Sequence, residues 1–128
     1  MAFGQASDQS HFCPNAHLTS IIDDWGPYYT KAAKSVVDGN WVAGDTWGGM
    51  NTGMVAMAPY NSKLMSTSLI QEAVNMEVAI KDGSLHSFEG PIYNQAGELV
   101  VPEGQVADDG MLAGMNFYVQ GIEGDLPQ

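Results

Sequence analysis

The chemistry open to this chain starts from three histidines, one cysteine, two adjacent acidic pairs and three tryptophans. His11, His17 and His86 are scattered, and no two stand four apart as they would on one face of a helix holding a metal. They read as surface or hydrogen-bonded loop residues. Cys13 lies two residues from His11 beside Pro14, but nothing in the pattern orients the imidazole as a base for the thiol. Asp23-Asp24 and Asp108-Asp109 are both explained as carboxylates capping helix N-termini. The first pair has a second reading, because Asp23-Asp24-Trp25 follows a run that predicts a buried strand. Open α/β sheets place ligands at strand C-terminal ends, where a carboxylate can accept from an amine or hydroxyl. Trp25, Trp41 and Trp47 each read singly as core or interface residues, while as a set they offer faces for stacking a planar ring. Gly48-Gly49 with Gly53 has neither the Gly-x-Gly-x-x-Gly frame nor a following Lys-Ser/Thr, so it supports no phosphate cradle. No Gly-x-Ser-x-Gly elbow is present. A small enzyme using Asp23 and Asp24 as acid and base is disfavoured, because adjacent side chains on extended backbone point to opposite faces. The residues describe a non-catalytic unit, with no cofactor or metal expected.

Composition narrows the partners. Fifteen acidic residues stand against four basic ones, a formal net charge of −11, and all four basic residues are lysines (Lys31, Lys34, Lys63, Lys81). No arginine fork is available to grip phosphate, which argues against nucleic acid, and anionic lipid would repel this surface. A single cysteine allows no internal disulfide. Met1-Ala2-Phe3-Gly4-Gln5 lacks the basic and apolar regions of a signal peptide, so the chain reads as cytoplasmic or as a piece of something longer. At 128 residues one ordinary domain is expected, and no shift in composition divides residues 1–128.

Three helices must position the candidate groups. Tyr29, Ala32, Ala33, Val36 and Val37 recur with helical spacing between Pro27 and Gly39. Leu69, Ala73, Met76 and Ile80 form a second stripe, flanked by Ile70, Val74 and Val78. Ser68 and Gln71 in capping-box spacing predict its start, Gly83 its end, and its apolar arc predicts wide burial. A third is predicted from Asp108 or Asp109 through Met111, Leu112, Met115, Tyr118 and Val119 towards Gly121, weakened by Gly110 and Gly114. Short strands are expected at 2–4, 17–22 and 53–58. Ile92-Tyr93 and Glu98-Leu99-Val100-Val101 predict a hairpin across Asn94-Gln95-Ala96-Gly97, with Asn and Gly supplying positive φ. The class is α/β: three main helices, several short strands and a C-terminal hairpin.

The order of segments carries a resemblance. Gly4-Gln5-Ala6-Ser7-Asp8-Gln9, Ala16-His17-Leu18-Thr19-Ser20, Trp25-Gly26-Pro27-Tyr28-Tyr29, Val37-Asp38-Gly39-Asn40-Trp41, Gly53-Met54-Val55-Ala56-Met57-Ala58-Pro59-Tyr60 and Gly114-Met115-Asn116-Phe117-Tyr118-Val119 follow one another as they do in one family. Together they resemble the BMP or Med-like substrate-binding lipoproteins of ABC transporters, which include purine-nucleoside receptors.

That resemblance implies a partial lobe of the type I periplasmic-binding-protein fold, the C-terminal portion of a two-lobe clamp, with the hinge near Asp23-Asp24. The helix after Pro27 would pack on the lobe this chain lacks. Its Tyr29/Val36 stripe would then be uncovered, predicting a homodimer through that face or a rearranged packing. The family's ligand aspartate falls at Ala6 and its lysine at Asp23, whereas Asp8 keeps the second aspartate. These departures favour a free purine base or another small planar solute over a nucleoside. Asp8, Asp23, Asp24 and Trp25 are the expected ligand contacts. An ABC permease is the implied partner of the full-length protein, which would be periplasmic or a membrane-anchored lipoprotein. The competing expectation is a free-standing oligomeric interaction module that has lost ligand binding.

Overall fold

The computed structural model describes residues 1–127. Its elements run β1 (Ala2–Gly4), β2 (His17–Asp23), α1 (Gly26–Val37), a 3₁₀ turn (Met50–Thr52), β3 (Val55–Met57), α2 (Thr67–Asp82), β4 (Ile92–Tyr93), β5 (Leu99–Val101) and α3 (Asp109–Ala113). This is the mixed helix and strand content of a partial α/β lobe. The sequence pattern reads as one unit over 1–128; the chain's contacts gather into two compact units, Met1–Ser84 and Leu85–Gln128.

In the first unit β2 is the central strand. It pairs in parallel with β1 (Phe3 with Thr19, Gly4 with Ser20) and antiparallel with β3 (Ile21 with Met57, Asp23 with Val55). The expected burial of β2 is met by polar side chains: His17, Thr19 and Ser20 are its sealed residues. They are tolerated because each finds a partner. Thr19 Oγ1 donates to Ala58 O at 2.8 Å, and His17 Nε2 shares a 2.7 Å hydrogen bond with Ser20 Oγ. Gly4 is required here, because a Cβ at that position would collide with Ser20 Oγ.

Local sequence sets the helix ends, with two corrections. Pro27 stands in the first turn of α1, and Gly39, at φ +70°, follows its C-cap Asp38. α2 is capped by Ser66, whose hydroxyl accepts from Leu69 N–H at 3.2 Å. The expected Ser68–Gln71 box does not form: Ser68 shares a bond with Ser66, and Gln71 Nε2 donates to Asn75 Oδ1 at 3.0 Å. Gly83 ends α2 in the left-handed region, as its position predicts.

In the second unit Asp108 caps α3 by accepting from Met111 N–H at 2.7 Å. The helix stops at Gly114 instead of running towards Gly121. Residues 118–120 form bonds beside β4 instead: Gln95 N–H donates to Tyr118 O at 3.0 Å and Gln120 N–H to Tyr93 O at 2.8 Å. Two glycines weaken a helix enough for that alternative pairing to win. The 94–97 hairpin forms, but only Gly97 takes positive φ. Asn94 acts through its side chain, accepting from Glu98 N–H at 3.0 Å.

Hydrophobic burial is sparse. Among the described residues the buried apolar set is Ala58 and Met65 in the first unit, Val101 and Ala107 in the second. The expected wide burial of α2 is not met: Leu69, Met76 and Val78 are each about half exposed, because within its unit the 3₁₀ turn is the one helix or strand element that α2 packs on. Within that unit α1 packs on no other helix or strand, and Tyr29, Val36 and Val37 lie open.

Candidate functional site

Beyond the C-terminal end of β2, the strand's last residue meets the segment that returns after α1. Asp23, Trp25, Thr46, Trp47, Gly48, Met54 and Val55 line an open cleft of about 270 Å³ there. Asp23 is anchored by its backbone, its N–H donating to Ala6 O at 3.2 Å, so that its side chain is free to line the wall. Trp25 takes the N-cap position of α1, where its indole stacks on Tyr29 one turn later, at 6.0 Å between centroids and 29° between planes. Tyr28 packs edge-on against both rings. Such support from neighbours fixes an aromatic face before anything binds to it. Gly48 completes the wall, since a Cβ there would come within 2.6 Å of Met54 Sδ and Thr52 Oγ1. The cleft is thus lined by two indoles and one carboxylate, a set able to hold a flat polar solute.

The four expected contacts do not all meet. Asp23 and Trp25 share this cleft. Asp24, between them, turns away as alternation on extended backbone requires: its Oδ1 accepts from Gly26 N–H at 3.0 Å and helps start α1. Asp8 lines a different cleft of about 520 Å³, with Ser10, His11, His17 and Lys63 among its walls. That cleft lies at the N-terminal end of β2, and β2 spans seven residues, so roughly 20 Å separates its two ends. Asp8 accepts from Ser10 N–H at 2.9 Å, and this bond holds its carboxyl below the usual carboxylate range. Among the tryptophans, Trp41 falls in a third cleft between α1 and the return segment, beside Tyr28 and Lys31. Trp47, which the sequence offers with Trp25 and Trp41 as a set of ring faces, is not among the four expected contacts, yet it lines the cleft of Asp23 and Trp25. Its neighbours Gly48 and Gly49, read from sequence only as a failed phosphate loop, were the signal of a tightly turning wall.

One pairing looks like chemistry and is structural. Ser20 Oγ lies beside His17 Nε2 and also accepts from Gln9 N–H at 3.2 Å, but Ser20 is fully buried. A nucleophile must reach its substrate, and this hydroxyl reaches only its two neighbours. Among the described residues no group of three or more histidine, cysteine, aspartate or glutamate side chains could hold a metal ion. No helix among them is long and apolar enough to cross a membrane.

Comparison with known proteins agrees with the sequence resemblance. The family described as Bmp, the PnrA-like substrate-binding proteins of ABC transporters, matches residues 1–93. A purine-binding protein of Brucella abortus is 46% identical over 127 residues, covering 99% of this chain and 36% of that protein. A Haloferax volcanii protein named as an ABC transporter glucose-binding protein is 27% identical over 124 residues, covering 97% of this chain and 29% of that protein. The chain therefore spans about a third of the length of these relatives. With the match extending over residues 1–93, the chain belongs to the Bmp family of ABC transporter substrate-binding proteins.

Proposed function

We propose that these residues are the C-terminal portion of a two-lobe solute receptor that delivers a purine base, or a closely similar planar solute, to an ABC permease. The receptor performs no chemistry on its cargo. A flat ring stacks between Trp25 and Trp47, and Asp23 accepts from its ring N–H or exocyclic amine. Closure of the second lobe excludes water from the stack. The parent protein works in the periplasm or as a membrane-anchored lipoprotein. The observation that carries this reading is the meeting of Asp23, Trp25 and Trp47 in one cleft at the end of the central strand.

A pyranose can also stack on an indole, and one relative is named for glucose, so the test needs both chemistries. Tryptophan fluorescence and calorimetric titration of this chain and of a two-lobe parent with adenine, guanine, hypoxanthine, guanosine and glucose separate them. Quenching and heat with a free base, weaker with guanosine and absent with glucose, is the expected result. Binding of glucose alone, or of none of the five by the parent, would overturn the purine reading.

A further inference from the structure

Ala6, at φ +66°, is the one residue other than glycine with a left-handed backbone among the described residues. A Cβ in that region crowds the following carbonyl oxygen, so an alanine stays there only where its surroundings hold it. Both peptide groups flanking Ala6 are held. On one side Gln9 Nε2 donates to Gln5 O at 2.9 Å, and on the other Asp23 N–H donates to Ala6 O at 3.2 Å. The loop is tied down again where Gln9 N–H reaches Ser20 Oγ at 3.2 Å. The next amide of the chain bonds the opposite way, Asp24 N–H to Met54 O at 2.8 Å. The end of β2 is thus gripped from both edges, and the grip on the Asp23 amide comes from Ala6.

We infer that Ala6 is a positioning residue for the cleft: its left-handed turn aims a backbone carbonyl at the Asp23 amide and so fixes where the Asp23 carboxylate meets a solute. This rests on the proposed planar-solute reading of the cleft that Asp23 lines. Ala6 is itself exposed and lies outside that lining, so it acts through Asp23 and not by contact. Rotation about φ swings the carbonyl of the same residue, and a residue forced out of the left-handed region withdraws the acceptor. Ala6→Val applies that force, because a β-branched side chain strongly disfavours positive φ. Ala6→Gly keeps the turn without the crowding.

Amide hydrogen exchange of the 128-residue chain reads the bond directly. The Asp23 amide should be protected in the unsubstituted chain and in Ala6→Gly, and should exchange about tenfold faster or more in Ala6→Val, while the Thr19 and Ser20 amides stay protected. In the two-lobe parent Ala6→Val should weaken binding of a free purine base about tenfold, and Ala6→Gly should keep affinity within about twofold. In an Asp23→Ala background Ala6→Val should cost less than about twofold, whereas a merely structural defect would cost the same in both backgrounds. An Asp23 amide unprotected from the start, protection unchanged by Ala6→Val or lost along the whole of β2, or equal losses of affinity with and without the Asp23 carboxylate overturns the inference. If no base binds the unsubstituted parent, the purine reading falls and exchange alone decides the role of Ala6.

Discussion

His17 Nε2 lies 2.7 Å from Ser20 Oγ inside the sheet, three residues along the same strand, and both residues are buried. The bond ties the N-terminal end of β2 to the loop after β1, because Ser20 also takes the Gln9 N–H. Ser20→Ala should therefore strand the buried His17 ring nitrogen and the part-buried Gln9 N–H and lower unfolding stability by about 1–3 kcal/mol. Gly4→Ala should cost a similar amount, about 1–3 kcal/mol, by driving a methyl into the same hydroxyl. Urea midpoints of the two variants check both. An unchanged midpoint for Ser20→Ala would mean that water replaces the hydroxyl.

The cleft makes separate demands on its two chemical parts. Trp25→Ala should weaken binding of a planar base by about 1–3 kcal/mol, the range measured for one stacked base. Asp23→Asn should weaken it by about 1.5–3 kcal/mol, as a charged acceptor is lost. Asp24→Asn should change affinity little, because that carboxylate serves Gly26 N–H at the start of α1. Titration of the three variants in the two-lobe parent checks the order. A larger loss at Asp24 than at Asp23 would reverse the assignment.

The two serines before α2 are distinguishable. Ser66→Ala removes the acceptor for Leu69 N–H and should cost about 1 kcal/mol of helix stability, whereas Ser68→Ala should cost a few tenths. Thermal melts followed by circular dichroism at the helix band measure the difference.

Alkali should loosen the packing of Tyr60 on α2. Burial, then its 2.6 Å bond to Glu77 Oε1, holds this phenol well above its ordinary value of 10.0. The folded state therefore keeps a proton that the unfolded chain releases. The resulting stability is complete below pH 10 and is lost as the pH rises from 10 through the folded-state value. Tyr60→Phe removes that titration, so its stability profile above pH 10 should be flatter than the parent's. Parallel profiles for the two proteins would show that Tyr60 does not report the loss.

What lies within a few residues was legible in the sequence. The spacing of Tyr29, Val36 and Val37, the stop at Gly83, the Asp108 cap and the turn at Gly97 rest on local backbone geometry. Even there a choice between neighbours was decided by the fold: Ser66 displaced Ser68 as cap, and residues 118–120 left α3 for bonds beside β4. Burial was less legible, because spacing marks an apolar face but cannot supply the surface that covers it.

By itself the sequence determined the family, through the order of its segments, and the presence of a carboxylate and an indole just past a strand. Only the tertiary structure decided which groups meet. Asp23, Trp25 and Trp47 come together because β2, α1 and the return segment converge at one strand end, while Asp8 is carried to the other. The reason is that a strand's length and its pairing set distances between residues that sequence separation does not encode: Asp23 and Asp24 are adjacent in the chain and serve different tasks, while Asp23 and Trp47 are far apart in it and share a wall.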